Sequence, residues 1–145
     1  MSRRRPTGVR LIALLLPLAV LLSACGGDEP SGPEALEGRS WVLTQFVAED
    51  GSTQIVDVGV DAEFDGSTIS GVSGCNQYNA TYEASGNEIS FGPIAGTQMA
   101  CPEPQMSVET RYLQLLESAA TFEVEGRAMS MADGEGTPVL QFSQG

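Results

Sequence analysis

The sequence predicts a mainly β domain with one helix: a small, barrel-like, highly curved antiparallel sheet. Three observations lead there. Short runs in which apolar and polar residues alternate recur between Trp41 and Phe142, and Gly- and Asp-rich turn signals separate them. One stretch, near 103–119, has helical spacing. The chain that follows the N-terminal leader is long enough for a single core.

The leader comes first. Arg3, Arg4, Arg5 and Arg10 form a positive stretch ahead of an apolar run from Leu11 to Leu22. That run is shorter than the roughly 20 apolar residues of a spanning helix. It has the length of a secretion-signal core, about 7–15 residues. Leu22-Ser23-Ala24-Cys25-Gly26 follows and resembles the bacterial lipobox, in which the cysteine thiol takes a diacylglycerol thioether. The expectation is a signal peptide over 1–24, lipidation at Cys25 and a lipidated flexible tether over 25–38, where Gly, Pro, Asp and Glu dominate. The arginines also raise a twin-arginine export route, but Pro6-Thr7-Gly8 stands where apolar residues belong, which favours the general secretory route.

The folded body is expected over 39–143. Trp41 to Val47 has aromatic and β-branched strand character, and Glu49-Asp50-Gly51-Ser52 is a turn signal. Val60, Ala62 and Phe64 alternate with Asp61, Glu63 and Asp65, a half-buried strand. Asp65-Gly66 suits a hairpin turn into a return strand over 68–72. Tyr78, Ala80 and Tyr82 share one strand face; Ser85-Gly86-Asn87 turns the chain into a strand over 89–91. On the helix, Val108, Tyr112, Leu115, Leu116 and Ala119 form the apolar stripe, with Glu109 and Glu117 off it, and Pro102 and Pro104 suit its start. Phe122 and Val124, Met129 and Met131, then Val139 to Phe142 supply the last strands, with turns at Gly126-Arg127 and Asp133 to Gly136.

Composition narrows the function. All nineteen acidic residues follow Cys25, against Arg39, Arg111 and Arg127, so the mature chain carries a formal charge of −16. Such a surface repels phosphates, which argues against nucleic-acid binding. It repels anionic headgroups too, so the membrane partnership must run through the lipid anchor. Solubility explains the acidity, and so does a basic protein partner. The chain has no histidine and no lysine. That removes the usual general base, the commonest metal ligand, Schiff-base chemistry and the lysine of phosphate loops. The expectation is no enzyme, no cofactor and no metal. Asp57, Asp61 and Asp65 invite a calcium site, but their spacing does not match a helix–loop–helix calcium loop, and a solvated acidic strand face is the plainer reading.

Gly71-Val72-Ser73-Gly74-Cys75-Asn76-Gln77-Tyr78 resembles the Gly-Cys-Asn motif of the META domain family, which includes HslJ-type heat-shock proteins. The resemblance continues through Thr97-Gln98-Met99-Ala100-Cys101, a helix bearing Glu109 and Leu113, and two strands ending at Phe142, and it covers Trp41, Leu43 and Phe64. Gln98 stands where the family commonly has a basic residue. The resemblance implies a compact β-rich fold with the helix at one side, an envelope or secreted location, an association with stress, and no established catalysis. It implies a structural role for Gly74, Cys75, Asn76, Thr97, Met99 and Cys101.

With Cys25 lipidated, two thiols remain, Cys75 and Cys101, which is the arithmetic of one disulfide in an exported protein. Two buried free thiols and a thiol catalyst are the rivals, the last disfavoured by the absence of an activating base. Asn76 reads as a turn residue satisfying backbone groups, or as a ligand contact. Gly71 and Gly74 read as a bulge or a close strand crossing. Trp41, Tyr78 and Tyr82 are candidate ligand-lining residues inside a barrel; in a domain this small, aromatics also simply fill the core. Three functional expectations follow: a non-catalytic lipid-anchored envelope protein acting through protein contacts, a small-ligand binder using a barrel cavity, or an inhibitor of cationic hydrolases. Its location is expected to be the outer membrane, or the outer face of the cytoplasmic membrane in a one-membrane cell.

Overall fold

The structure, a computed structural model, describes residues 31–145; the signal segment and Cys25 lie outside the described residues. The chain forms β1 (Ser40–Val47), β2 (Thr53–Ile55), β3 (Asp61–Asp65), β4 (Thr68–Val72), β5 (Gln77–Ser85), β6 (Glu88–Phe91) and β7 (Ala95–Gly96), then helix α1 (Gln105–Ser118), then β8 (Ala119–Glu125), β9 (Ala128–Asp133) and β10 (Pro138–Gln144). Eight strands close an antiparallel barrel in the order β1-β3-β4-β5-β6-β8-β9-β10, and β10 pairs back onto β1. The seam joins Trp41 to Gln144 and Phe46 to Leu140. The small barrel expected from the alternation is therefore a closed one.

β2 and β7 lie outside the ring, on β1 and β5. Neither was expected, because both are short and fully exposed and so carry no alternation. The helix, expected near 103–119, runs from Gln105, with Pro104 in the N-cap position, and passes directly into β8 at Ala119. Its stripe of Val108, Tyr112, Leu115 and Leu116 is buried, as the spacing predicted. This stripe joins the barrel interior, where the Tyr112 ring stands edge-on to Tyr78 and Phe142 at 5.5 and 6.4 Å between centroids.

Two expectations need correction. The fold does not begin at Arg39. Pro33–Ala35 forms one 3-10 turn, which places Leu36 in the core at 0% exposure. The Trp41 indole N–H then donates to the Leu36 carbonyl at 3.0 Å, and Glu37 bridges to Phe64. A Gly- and Pro-rich composition hid one apolar anchor. Asp61, expected on a solvated face, is half-buried instead. One of its carboxylate oxygens accepts the Val72 N–H at 3.0 Å, helping tie β3 to β4. Gly71 is what lets that pairing close up, since a Cβ there would overlap the Asp61 carbonyl oxygen.

The strand register gives the barrel two distinct ends. Residue 31 and the first residues of β1 lie at one of them. There the Gly145 N–H donates to Ser40 O at 2.9 Å, and Arg39 reaches the carbonyl of Gly126 in the β8–β9 turn. At the other end β1 finishes at Val47, whose carbonyl accepts a bond from Arg111 Nε of α1 at 2.9 Å. The chain from Ser73 to Asn76 lies toward this second end, where Val60 bridges to Ser73.

Candidate functional site

The motif residues converge. Three segments far apart in sequence meet: the turn over 73–76 after β4, the exposed stretch over 97–101 before the helix, and the first turns of α1. The Cys75–Cys101 disulfide joins the first two across a sequence separation of 26, with Cα atoms 5.9 Å apart. This agrees with the disulfide reading, and the free-thiol and thiol-catalyst alternatives fall with it.

Asn76 is the centre. It is buried at 4% exposure, and its side-chain amide uses both ends. Nδ2 donates to Glu109 Oε1 at 2.8 Å and to the Met99 carbonyl at 3.2 Å. Oδ1 accepts the Met99 N–H at 2.7 Å and the Thr97 hydroxyl at 2.9 Å. An amide has two donors and two acceptor positions, so this one is saturated. Thr97 has a second task, its Oγ1 accepting the Gln77 N–H at 3.2 Å.

Glu109 completes the clasp from the helix. Oε2 accepts the Asn76 backbone N–H at 2.8 Å and lies 2.6 Å from the Ser73 hydroxyl. That hydroxyl is also 2.8 Å from the Asn76 carbonyl, which already takes the Ser73 N–H; its single proton goes to the charged acceptor. Partial burial alone would raise the Glu109 pKa. The bonds from Ser73, the Asn76 side chain and the Asn76 and Cys75 backbone outweigh it and hold the carboxyl below its ordinary range. Gly74 permits the approach, with φ 116° and a would-be Cβ 3.1 Å from the Gln105 carbonyl.

Of the sequence candidates, then, Gly74, Cys75, Asn76, Thr97, Met99 and Cys101 lie together. Met99 joins through its backbone alone; its side chain is 58% exposed. Ser73 was missed, and so was the part that Glu109 plays. Glu109 stands off the apolar stripe, and the family resemblance places it on the helix without giving it a partner. The available signal was the run of turn N–H groups over 73–76, which needs an acceptor from somewhere.

Of the candidate lining residues, Tyr78 and Tyr82 each border an open surface concavity, of about 200 and 520 Å³ respectively, and Trp41 lines none of those described. All three are buried core residues. The hydroxyls of Tyr78 and Tyr112 lie 2.6 Å apart, and burial pushes both phenols up. Tyr82 stacks edge-on to Phe64, and its hydroxyl donates to Glu37 at 3.3 Å. An open surface groove of about 620 Å³ lies between the β1–β2 hairpin and α1. Phe46 and Val108 contribute apolar surface to it, with Glu49, Asp50, Glu103 and Arg111 around them. No group of three or more Cys, Asp or Glu among the described residues is placed to hold a metal ion.

A closed eight-stranded barrel, clasped to its one helix through a buried Asn–Glu pair and a disulfide, defines a compact β-barrel module. The chain belongs to the META domain family, whose model matches residues 34–145. It is similar in structure to a protein from Burkholderia xenovorans solved by NMR, at 26% identity, with a TM-score of 0.66 over 97% of this chain and 98% of that one. A DUF4847-family protein from Bacteroides vulgatus shares the fold at 14% identity, with a TM-score of 0.56 over 76% of this chain and 94% of that one. No curated protein matches the sequence significantly.

Proposed function

We propose that this META-domain protein is a non-catalytic, lipid-anchored component of the cell envelope that supports stress tolerance or envelope integrity through protein contacts. One observation carries the non-catalytic part. The motif's polar groups are spent on the fold: the amide of Asn76 is saturated, both Glu109 oxygens are engaged, and the two cysteines are bridged. A chain without histidine or lysine offers few replacements for them. The anchoring part rests on the lipobox at Cys25, and the envelope location follows from it.

A second reading is a binder of basic proteins, including cationic hydrolases. The groove between the β1–β2 hairpin and α1 favours it, with three carboxylates beside an apolar floor. A small ligand would use this groove too, since the barrel interior is filled by Trp41, Tyr78 and Tyr82. The reading calls for no cofactor and no nucleic acid.

Metabolic labelling with a tagged fatty acid tests the anchor: wild type takes the label and Cys25→Ser does not, and equal labelling of both would end the lipoprotein reading. Crosslinking and pull-down of the lipidated protein from envelope extracts tests the contacts. A Glu49→Lys variant that loses the captured partner places the contact at the groove.

A further inference from the structure

We infer that Met99 is a methionine-oxidation site, placed so that the fold tolerates its conversion to the sulfoxide. The argument begins with where the sulfur atoms are. Cys75 and Cys101 are already joined, so neither offers a thiol. Met129 and Met131 point into the barrel and are buried, and Met106 is half-buried beside the groove. Met99 is the one fully exposed methionine among the described residues, with 58% of the residue open to solvent. Every residue from Ala95 to Ala100 is exposed, so no wall shields it from an oxidant.

The backbone of Met99 is held as firmly as its side chain is free. Its N–H donates to Asn76 Oδ1 at 2.7 Å and its carbonyl accepts from Asn76 Nδ2 at 3.2 Å. Two residues on, the disulfide fixes the same segment. The fold therefore uses the peptide groups of Met99 and asks little of its side chain. Oxidation converts a flexible apolar side chain into a polar one, which disrupts a core but costs little on a surface. The same reaction at Met129 or Met131 would put an unpartnered polar oxygen into the barrel interior.

The chemistry is oxygen transfer from a peroxide. The sulfur lone pair attacks one peroxide oxygen, an S–O bond forms and the O–O bond breaks. The departing oxygen takes the proton and leaves as water. Sulfur loses two electrons and the peroxide gains them. The product is open to methionine sulfoxide reductases, so the mark is reversible.

The test treats the mature full chain with hydrogen peroxide and follows each methionine by peptide mass, where a sulfoxide adds about 16 Da. Met99 is expected to oxidise at least about tenfold faster than Met129 and Met131, with the melting temperature of the singly oxidised protein close to that of the untreated one. In Met99→Leu the fast phase should vanish while the melting temperature stays. A reductase added afterwards should return the wild type to its starting mass. Oxidation of Met99 no faster than of the two barrel methionines, or a fold lost on the first oxidation, would overturn the inference.

Discussion

Asn76 shows how one side chain can organise three segments. It is short enough to sit inside a turn, and its amide presents donors and acceptors on opposite sides, which a carboxylate or a hydroxyl cannot do. Asn76→Ala strands the Met99 peptide groups and removes a partner from Glu109, and each buried group left unpaired carries its own penalty. The expected cost is about 2–4 kcal/mol, read as a lower midpoint in denaturant. Glu109 adds a pH dependence. Its pKa in the fold is lowered from an ordinary value of 4.5, so its contribution is complete above that value and is lost as the pH falls through the folded-state value. Wild type should therefore be more stable than Glu109→Gln near neutral pH. The gap between their melting temperatures should close progressively below about pH 4. A gap that widened on acidification would reverse the sign assigned to the carboxylate. At this scale the sequence was half legible. Asn76 was recognisable as a turn residue, because Asn commonly answers backbone groups. Its partner on the helix was not, because a separation of 33 positions hides a spatial contact from any local pattern.

Among the elements, the disulfide and the helix act on the same segments. The bridge closes a separation of 26 residues, which in the chain-entropy treatment stabilises by about 3.5 kcal/mol. Cys75→Ser should lower stability by about 2–5 kcal/mol and leave the barrel otherwise folded. An unreduced intact mass about 2 Da below the reduced one is the direct check that the bridge forms in the protein as produced. The strands with clean alternation, such as β3 and β5, were legible because one face is buried and the other wet, a signal with period 2. The helix was legible because its stripe has a longer period and two prolines mark its start. β2 and β7 were not, since both of their faces are exposed. The Pro33–Ala35 turn was lost for another reason. Composition averaged over a stretch reports flexibility, while a single buried Leu36 decides where order begins.

For the molecule as a whole, charge is the dominant long-range property. Three arginines follow Cys25, and each spends a hydrogen bond on a backbone carbonyl: Arg39 on Gly126, Arg111 on Val47 and Arg127 on Gln144. Nineteen acids face them. Attraction to basic proteins should therefore be general and weak. Its association rate should fall steeply once salt passes about 0.1–0.15 M, where the screening length drops to 8–10 Å. A specific partner seated on the uncharged parts of the groove should keep its affinity there. Stopped-flow or surface association at low and high salt separates the two, and a tight complex that disappears at moderate salt would make charge itself the recognition element. The closed barrel was only partly legible at this scale. Regular strand spacing pointed to curvature, but closure depends on β10 finding β1, a pairing between the two ends of the domain that leaves no trace in either strand alone.

That seam sets an order of events during biogenesis. Its two halves, residues 40–47 and 138–144, are the first and last of the described strands in chain order, and β1 cannot find its second neighbour until β10 has been made. Until then the chain is an open sheet with β1 and β9 as bare edges, the state in which strands pair with the wrong molecule. Closure by such distant segments is also slow, since the entropy of a long loop is lost before the pairing compensates for it. A chain stopped after residue 137 keeps every residue of the Asn76 clasp and the whole helix, yet cannot close. It should accumulate as aggregate or be degraded after synthesis, a result readable by comparing pulse-labelled chains of 145 and 137 residues. Survival of the truncated chain as a soluble monomer would show that the sheet holds together without its last strand.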